Sequence, residues 1–279
     1  MSGKRKERKV LMVILAAMMA IELTALGVAF AILGGGTLQA QTMRRLNESD
    51  YYALQTDELV KETDAISERA GITGFSSRVT FESEDVTNEI REFTANRIKG
   101  STEELKEDVL KEQLKADLYA FLEENQISKG RLDMSALDLY TMQVFRLYDQ
   151  IVDNSFVNYY AGLRSRVSQI CLIVILAMVF FLIVCILFIY GLVKMRRKTI
   201  SYLIRALIAA TVLIGGSSLY GYLSGWYQTI PVTPAFMAGF AKSYINGIFG
   251  AGMIVSGVYI VLIVICAIAM HVISQKKSK

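Results

Sequence analysis

The chain has 279 residues, 53% of them hydrophobic and 20% charged, with two prolines, three cysteines and a mean hydropathy of +0.39. That much apolar surface exceeds what a soluble globule of this size hides, which disfavours a soluble enzyme, and chains this rich in large apolar residues are not disordered. No cysteine lies outside an apolar run, which excludes a disulfide scaffold, and the net charge of +4 conceals two opposed parts.

Residues 37–166 hold 16 Lys and Arg against 24 Asp and Glu, net −8; the remainder holds 14 basic side chains against two acidic ones, net +12. This segregation predicts an all-α membrane protein of four transmembrane helices. One acidic, helical, extracytoplasmic domain is inserted between the first and second.

A basic tail, residues 1–9, opens the chain with Lys4, Arg5, Lys6, Arg8 and Lys9. The first span is expected at 10–33, since a bilayer needs about 20 helical residues. A cleaved signal peptide is the rival reading of this start. The apolar run of about 24 residues is longer than a signal core of roughly 7–15, and Leu38-Gln39-Ala40 is a poor cleavage site, so an uncleaved anchor is expected.

The insertion, 34–168, begins with Gly34, Gly35 and Gly36, a hinge by composition. Within residues 37–166 there is no proline. A helix is predicted from about Ser49 to Ala70, ended by Gly71, and Arg78–Phe81 reads as a short extended piece. From Ser83, Val86, Ile90 and Phe93 follow helical spacing up to Gly100. Ser101-Thr102-Glu103-Glu104 reads as a capping box. It opens a helix with Leu105, Leu110, Leu114, Leu118, Phe121 and Leu122 on one face, ending near Asn125. A last helix from about Asp133 carries Leu137, Val144, Leu147, Tyr148 and Ile151, and runs on towards the second span with a kink expected at Asn154 or Gly162.

The remaining spans are expected at 169–193, 199–223 and 248–273, with a short loop at 194–198, a longer one at 224–247 and a tail at 274–279. Basic residues near span ends are retained in the cytoplasm. Lys194, Arg196, Arg197 and Lys198, together with Lys276, Lys277 and Lys279, agree with the opening cluster and place both termini inside a plasma membrane. Residues 34–168 and 224–247 are then outside. Tyr159, Tyr160, Tyr220, Tyr222, Trp226, Tyr227 and Tyr244 fall at the outer boundary, where amphipathic rings sit at headgroup level. Thr233-Pro234 reads as the start of a short interfacial helix, with Phe236, Met237, Phe240 and Tyr244 on its lipid-facing side; a re-entrant loop is the alternative.

Four intramembrane polar residues stand out. Glu22 lies about 12 residues into the first span, roughly 18 Å deep. An acid there faces the bundle and needs a partner. Equal depth along the other spans predicts Thr211 or Tyr259, with only apolar Phe181 on span two. The functional reading is a proton or cation relay; the ordinary one, preferred, is a neutral hydrogen-bonded carboxyl. Arg205, about 9 Å deep, is expected to snorkel to the inner headgroups rather than pair with Glu22. Ser217, Gly221 and Gly225 near the end of span three, with Gly252 and Ser256 in span four, predict close packing of those two spans. A ligand cleft or a dimer face is the other reading. Cys171, Cys185 and Cys266 are treated as small apolar residues.

Much familiar chemistry is missing. The single histidine, His271, falls at a membrane edge, so no Ser-His-Asp or Cys-His arrangement forms in the insertion. No zinc, phosphate-loop or EF-hand motif occurs, so no metal, cofactor or catalytic residue is assigned. Glu82, Glu84 and Asp85 are a helix-start cluster favoured by the helix dipole, and Asn47-Glu48-Ser49 is a chance-frequency glycosylation triplet. The basic clusters match anionic lipid and give no sign of nucleic-acid recognition.

Ser49-Asp50-Tyr51-Tyr52, and Glu84-Asp85-Val86 through Gly100, resemble the helical extracytoplasmic insertions of uncharacterised four-span membrane proteins of Gram-positive bacteria. The resemblance covers the first two spans and the insertion between them. It implies a bacterial plasma membrane and brings no activity, cofactor or binding residue.

The cytoplasm receives nine residues at the start, five between spans two and three and six at the end, too few for a folded output domain. The expected function is therefore non-enzymatic. The outer domain binds a ligand, envelope component or protein and couples to another membrane protein, as an accessory or sensor subunit. The alternative is an oligomeric channel or transporter component with Glu22 in a proton or cation path. An enzyme acting on lipid or cell wall comes third. The expected partners are the lipid bilayer and a membrane protein or a second copy of the chain.

Overall fold

The computed structural model describes residues 2–106, 108–125 and 134–275, and every regular element in them is helical. In chain order these are α1 (Ser2–Ile32), a π-helical turn (Leu33–Thr37), α2 (Gln39–Glu48), α3 (Tyr51–Arg69), α4 (Arg78–Phe81), α5 (Glu84–Lys99), α6 (Asp108–Glu124), α7 (Met134–Val152), α8 (Ser155–Val193), α9 (Arg196–Ser224), a 3-10 turn (Trp226–Thr229) and α10 (Ala235–Gln275). Four of them, α1, α8, α9 and α10, are long and apolar enough to cross a membrane. The chain divides into two compact units, a span unit of Met1–Thr42, Ser165–Pro231 and Ala241–Lys279, and a lobe of Met43–Arg164 and Val232–Phe240.

In the span unit, Met19, Leu23, Cys185, Ile189, Ala206, Leu207, Ala210, Ile214 and Tyr259 form the buried cluster. Apolar helices gain nothing from leaving lipid for one another, so they associate where small residues let backbones approach. Gly252 of α10 is such a place: a Cβ there would collide with Ser218 of α9. At Gly215 a Cβ would sit 3.0 Å from Ser256 Oγ, at Gly221 it would enter the Phe249 ring, and at Gly27 of α1 it would meet Ile214. The glycine-rich end of α1 is used in the same way. Gly35 lies against the backbone of Gly247 and Gly36 against the Tyr244 ring, so the expected hinge is a buried π-helical turn.

Two of the residues expected to pack α9 on α10 do something else. Gly225 is the left-handed residue (φ 57°) that ends α9, and a Cβ there would touch only the Gln228 side chain. Ser217 is exposed and donates to Leu213 O at 2.7 Å; its neighbour Ser218 is the buried serine at Gly252. A 100° step per residue puts only one of two adjacent serines on a given face.

The lobe has its own core, including Leu59, Phe81, Val86, Ile90, Leu110, Leu114, Leu118, Tyr140, Val144 and Tyr148. Buried polar bonds fix its helix pairs: Gln55 Nε2 of α3 donates to Ile151 O of α7 at 2.9 Å, and the Ser67 and Tyr140 hydroxyls lie 3.0 Å apart. Gly71 (φ 79°) stops α3, as its position predicts, with Ile72 N–H returning to Ser67 O. The expected extended piece at Arg78–Phe81 is a single helical turn instead. Asp64 accepts from Ser77 N (2.7 Å) and Ser77 Oγ (2.9 Å), and Phe81 N–H then closes onto Ser77 O.

The helix expected from Ser101 begins only at α6, and residues 101–106 are irregular. Gly100 (φ 97°) turns the chain out of α5, and Ser101 Oγ accepts from Glu103 N–H, a local turn competing with the capping box. The expected helix start at Asp133 lies outside the described residues. The break before α8 falls at Asn154, whose Oδ1 caps Val157 N–H at 3.1 Å, while Gly162 lies inside α8. The expected lipid-resting helix after Pro234 is the first part of α10. Its Phe236 packs edge-on to Tyr51 at 5.4 Å and Phe240 to Tyr160 at 5.2 Å, both inside the lobe. Tyr160 and Tyr227 are buried, whereas Tyr159, Tyr220, Tyr222 and Trp226 are exposed.

Because Gly252 meets Ser218 and Gly216 meets nothing, the two glycines should respond oppositely to enlargement. Gly252→Leu is expected to cost about 1–3 kcal/mol and lower the thermal midpoint of the detergent-purified protein. Gly216→Leu should leave that midpoint unchanged in the same melting experiment.

Candidate functional site

Glu22 is 7% exposed and faces the span cluster from α1. Its Oε1 accepts the Cys185 thiol of α8 at 3.4 Å, and its Oε2 is buried with no hydrogen-bond partner. Neither expected partner bonds to it. Thr211 Oγ1 donates to Leu207 O (2.7 Å) on its own helix, and Tyr259 OH donates to Leu23 O (2.8 Å), beside Glu22 but on the backbone. Equal-depth counting reached Phe181 on α8, which is half exposed; the residue that meets Glu22 is Cys185, one turn further on. Its polarity escapes a reading that counts cysteine as apolar, yet a thiol is a weak donor. Arg205 is exposed, with its guanidinium 5.5 Å from the Tyr202 ring centroid.

This arrangement suits a held carboxyl better than a relay. Thr24, Thr211, Ser217 and Ser256 each donate to a carbonyl one turn back on their own helices. No sequence of side-chain donors among these leads away from Glu22.

The lobe holds a second acid, half-buried, that the sequence alone did not point to. Glu89 of α5 has both carboxylate oxygens buried without a hydrogen-bond partner. Burial is the main cause that pushes its pKa up to about 7; Lys106 opposes the rise, while Asp108 and Glu92 add to it. From α7 the Tyr148 hydroxyl, also buried and unpartnered, is driven upward by burial and by the nearby Glu89 charge. The available signal was positional. Glu89 stands three residues after Val86 and four before Phe93, on the face that the helical repeat assigns to the core.

Glu89 borders a cleft of about 60 Å³ lined also by Glu92, Phe93, Asn96, Arg97 and Lys106. Arg97 is held there by Asp153 at 2.7 Å and by the Phe93 ring at 5.0 Å. Ligand pockets run to about 300–1,000 Å³, so this cleft is water-sized. A larger groove of about 430 Å³ lies open along α6 and α7, between Lys111, Lys115, Asp138, Met142, Phe145 and Arg146. Met142 is about half exposed there, and so is Leu139, one turn before it on α7 but outside the groove's lining. Among the described residues no three His, Cys, Asp or Glu side chains are placed to hold a metal ion. In the acidic stretch, Arg78 holds Glu82 and Asp57, while Glu84 and Asp85 occupy the first turn of α5.

The raised Glu89 pKa fixes a sign. Between about 4.5 and 7 the folded protein binds this proton more tightly than the unfolded chain, so stability falls as pH rises through that window. Glu89→Gln should flatten the dependence of the thermal midpoint on pH there, and should outlast the parent protein at pH about 8. The chain matches no protein-family model, no curated protein and no solved structure.

Proposed function

We propose that the protein is a non-enzymatic plasma-membrane protein with both termini in the cytoplasm, whose lobe lies outside and binds a partner, coupling it to another membrane protein. The observation that carries this reading is the composition of the lobe. Residues 43–164, between the first two spans, and residues 232–240, between the last two, fold into one unit. Two connections can pack together only on the same side of a membrane, which supports the four-span topology given by the basic clusters. It also joins the lobe by chain to all four spans.

The surface of the lobe supports a macromolecular partner. The α6–α7 groove combines exposed Met142 with Lys111, Lys115 and Arg146, and exposed Leu139 lies one turn before Met142 on α7, beside the groove. Aliphatic side chains ringed by charge are the usual composition of a protein-binding patch. The partnership acts as an accessory or sensor subunit would, with the signal passed laterally.

A second reading, an oligomeric channel or transporter component, draws on the unpartnered Oε2 of Glu22. It requires pH-dependent flux in liposomes that Glu22→Gln removes.

Two experiments test the proposal. On intact cells an impermeant maleimide should label Glu104→Cys and spare Lys198→Cys; the reverse pattern would overturn the topology. In crosslinking and co-purification from native membranes, the double substitution Leu139→Glu/Met142→Glu should reduce partner capture about tenfold or more, the scale of an interface hot spot. Glu22→Gln should leave capture intact. A partner retained by the double variant and lost with Glu22→Gln would favour the second reading.

A further inference from the structure

We propose that the cationic groove where α9 begins and α10 ends binds an anionic phospholipid. Its phosphate sits among Lys194, Arg197 and Lys198, and an acyl chain lies along Met270 and Ile273. The inference requires only that these helices cross a bilayer, whichever face the groove is on.

The groove has a volume of about 630 Å³, and its walls differ in character. Lys194 of the α8–α9 turn and Arg197 and Lys198 of the first turn of α9 supply the cations, all three exposed, together with the hydroxyl of Ser201. Tyr190, Met270 and Ile273 supply an apolar flank from α8 and α10. The turn is short: α8 ends at Val193 and α9 begins at Arg196, with Lys194 in the left-handed region at φ 53°. A turn this tight keeps charges that repel one another within one wall.

No salt bridge of the described residues answers that charge. After Asp153 the sequence contains no Asp or Glu. Like charges held together without a counter-ion are unfavourable unless an anion is supplied from outside. The start of the 29-residue α9 adds the positive end of a helix dipole, with Met195 offering no side-chain cap.

The apolar flank decides which anion. A free phosphate or a nucleotide would use the cations and leave Met270 and Ile273 against water. A phospholipid matches both walls at once, its headgroup meeting the cations and its first methylenes the apolar side chains. Basic pockets between transmembrane helices at the headgroup level bind anionic lipid for this reason.

The test uses the full chain purified in a neutral detergent, with retained lipid counted by native mass spectrometry after incubation with phosphatidylglycerol or phosphatidylcholine. Phosphatidylglycerol should be retained preferentially. Each cation contributes about fivefold, so Lys194→Gln/Arg197→Gln/Lys198→Gln should lower the preference about a hundredfold. Arg197→Gln alone, the variant least disturbing to the turn, should lower it about fivefold. Lys242→Gln, outside the groove, should not change it. Met270→Gln/Ile273→Gln, with every charge kept, should also weaken retention. Equal retention of the two lipids would overturn the proposal. So would displacement of phosphatidylglycerol by millimolar inorganic phosphate, which would make the groove a site for free phosphate.

Discussion

Hydrocarbon neither hydrates an ion nor bonds to a free peptide group, and the layout of this chain follows from that constraint. Of its 26 acidic residues 24 lie in the lobe, all but Glu7 and Glu22, and after Asp153 there are none. Hydroxyls inside the spans turn their protons onto carbonyls of their own helices, as Thr24, Thr211 and Ser256 do. Glu22 is the acid within a span, and it sits in the buried cluster of the span unit, against Cys185 and beside Tyr259, whose hydroxyl crosses to Leu23 O. A charged group at that depth is costly, so the carboxyl is kept away from lipid by the helices around it.

The two units solve their packing by opposite means. The lobe excludes water with large side chains, Leu59, Phe81, Tyr140 and Tyr148 among them, and closes its turns with buried bonds from Gln55, Asp64 and Ser67. The long apolar helices of the span unit pack by another device. There the contacts are made by removing side chains, at Gly27, Gly35, Gly215, Gly221 and Gly252, so that backbones approach. Deleting a methylene should therefore be felt in the lobe, and adding one in the spans.

The four long apolar helices were legible because hydropathy and length suffice to identify them, and the lobe helices because Val86, Ile90 and Phe93, or Leu110, Leu114 and Leu118, repeat at helical spacing. What escaped the sequence was register. Thr211 has the right depth for Glu22 but bonds to its own helix, Tyr259 reaches α1 but bonds to Leu23 O, and Cys185 meets the carboxyl but is conventionally apolar. Ser217 and Ser218 differ by one residue, and only the second faces α10. The capping box at Ser101 failed for another reason: Gly100 and the Ser101–Glu103 bond offered a local turn that a four-residue motif does not register. Nor does a linear reading show that residues 232–240 belong with residues 43–164, because their contacts join parts of the chain far apart in sequence.

The four spans join the lobe through two kinds of chain connection. α8 and α10 both begin among lobe residues, at Ser155 and Ala235, and continue without a break into span residues. The other two joints are interrupted. After α1 the chain passes through a π-helical turn and the extended Leu38; after α9 it passes through Gly225, a short 3-10 turn and an irregular stretch up to Pro234. The two helices that begin among lobe residues are thus the two that carry, within the span unit, Cys185 and Tyr259, whose side chains bond to Glu22 and to the backbone of its neighbour Leu23. The polar contacts around Glu22 therefore come from these two helices and not from α9, whose Thr211 bonds to its own Leu207.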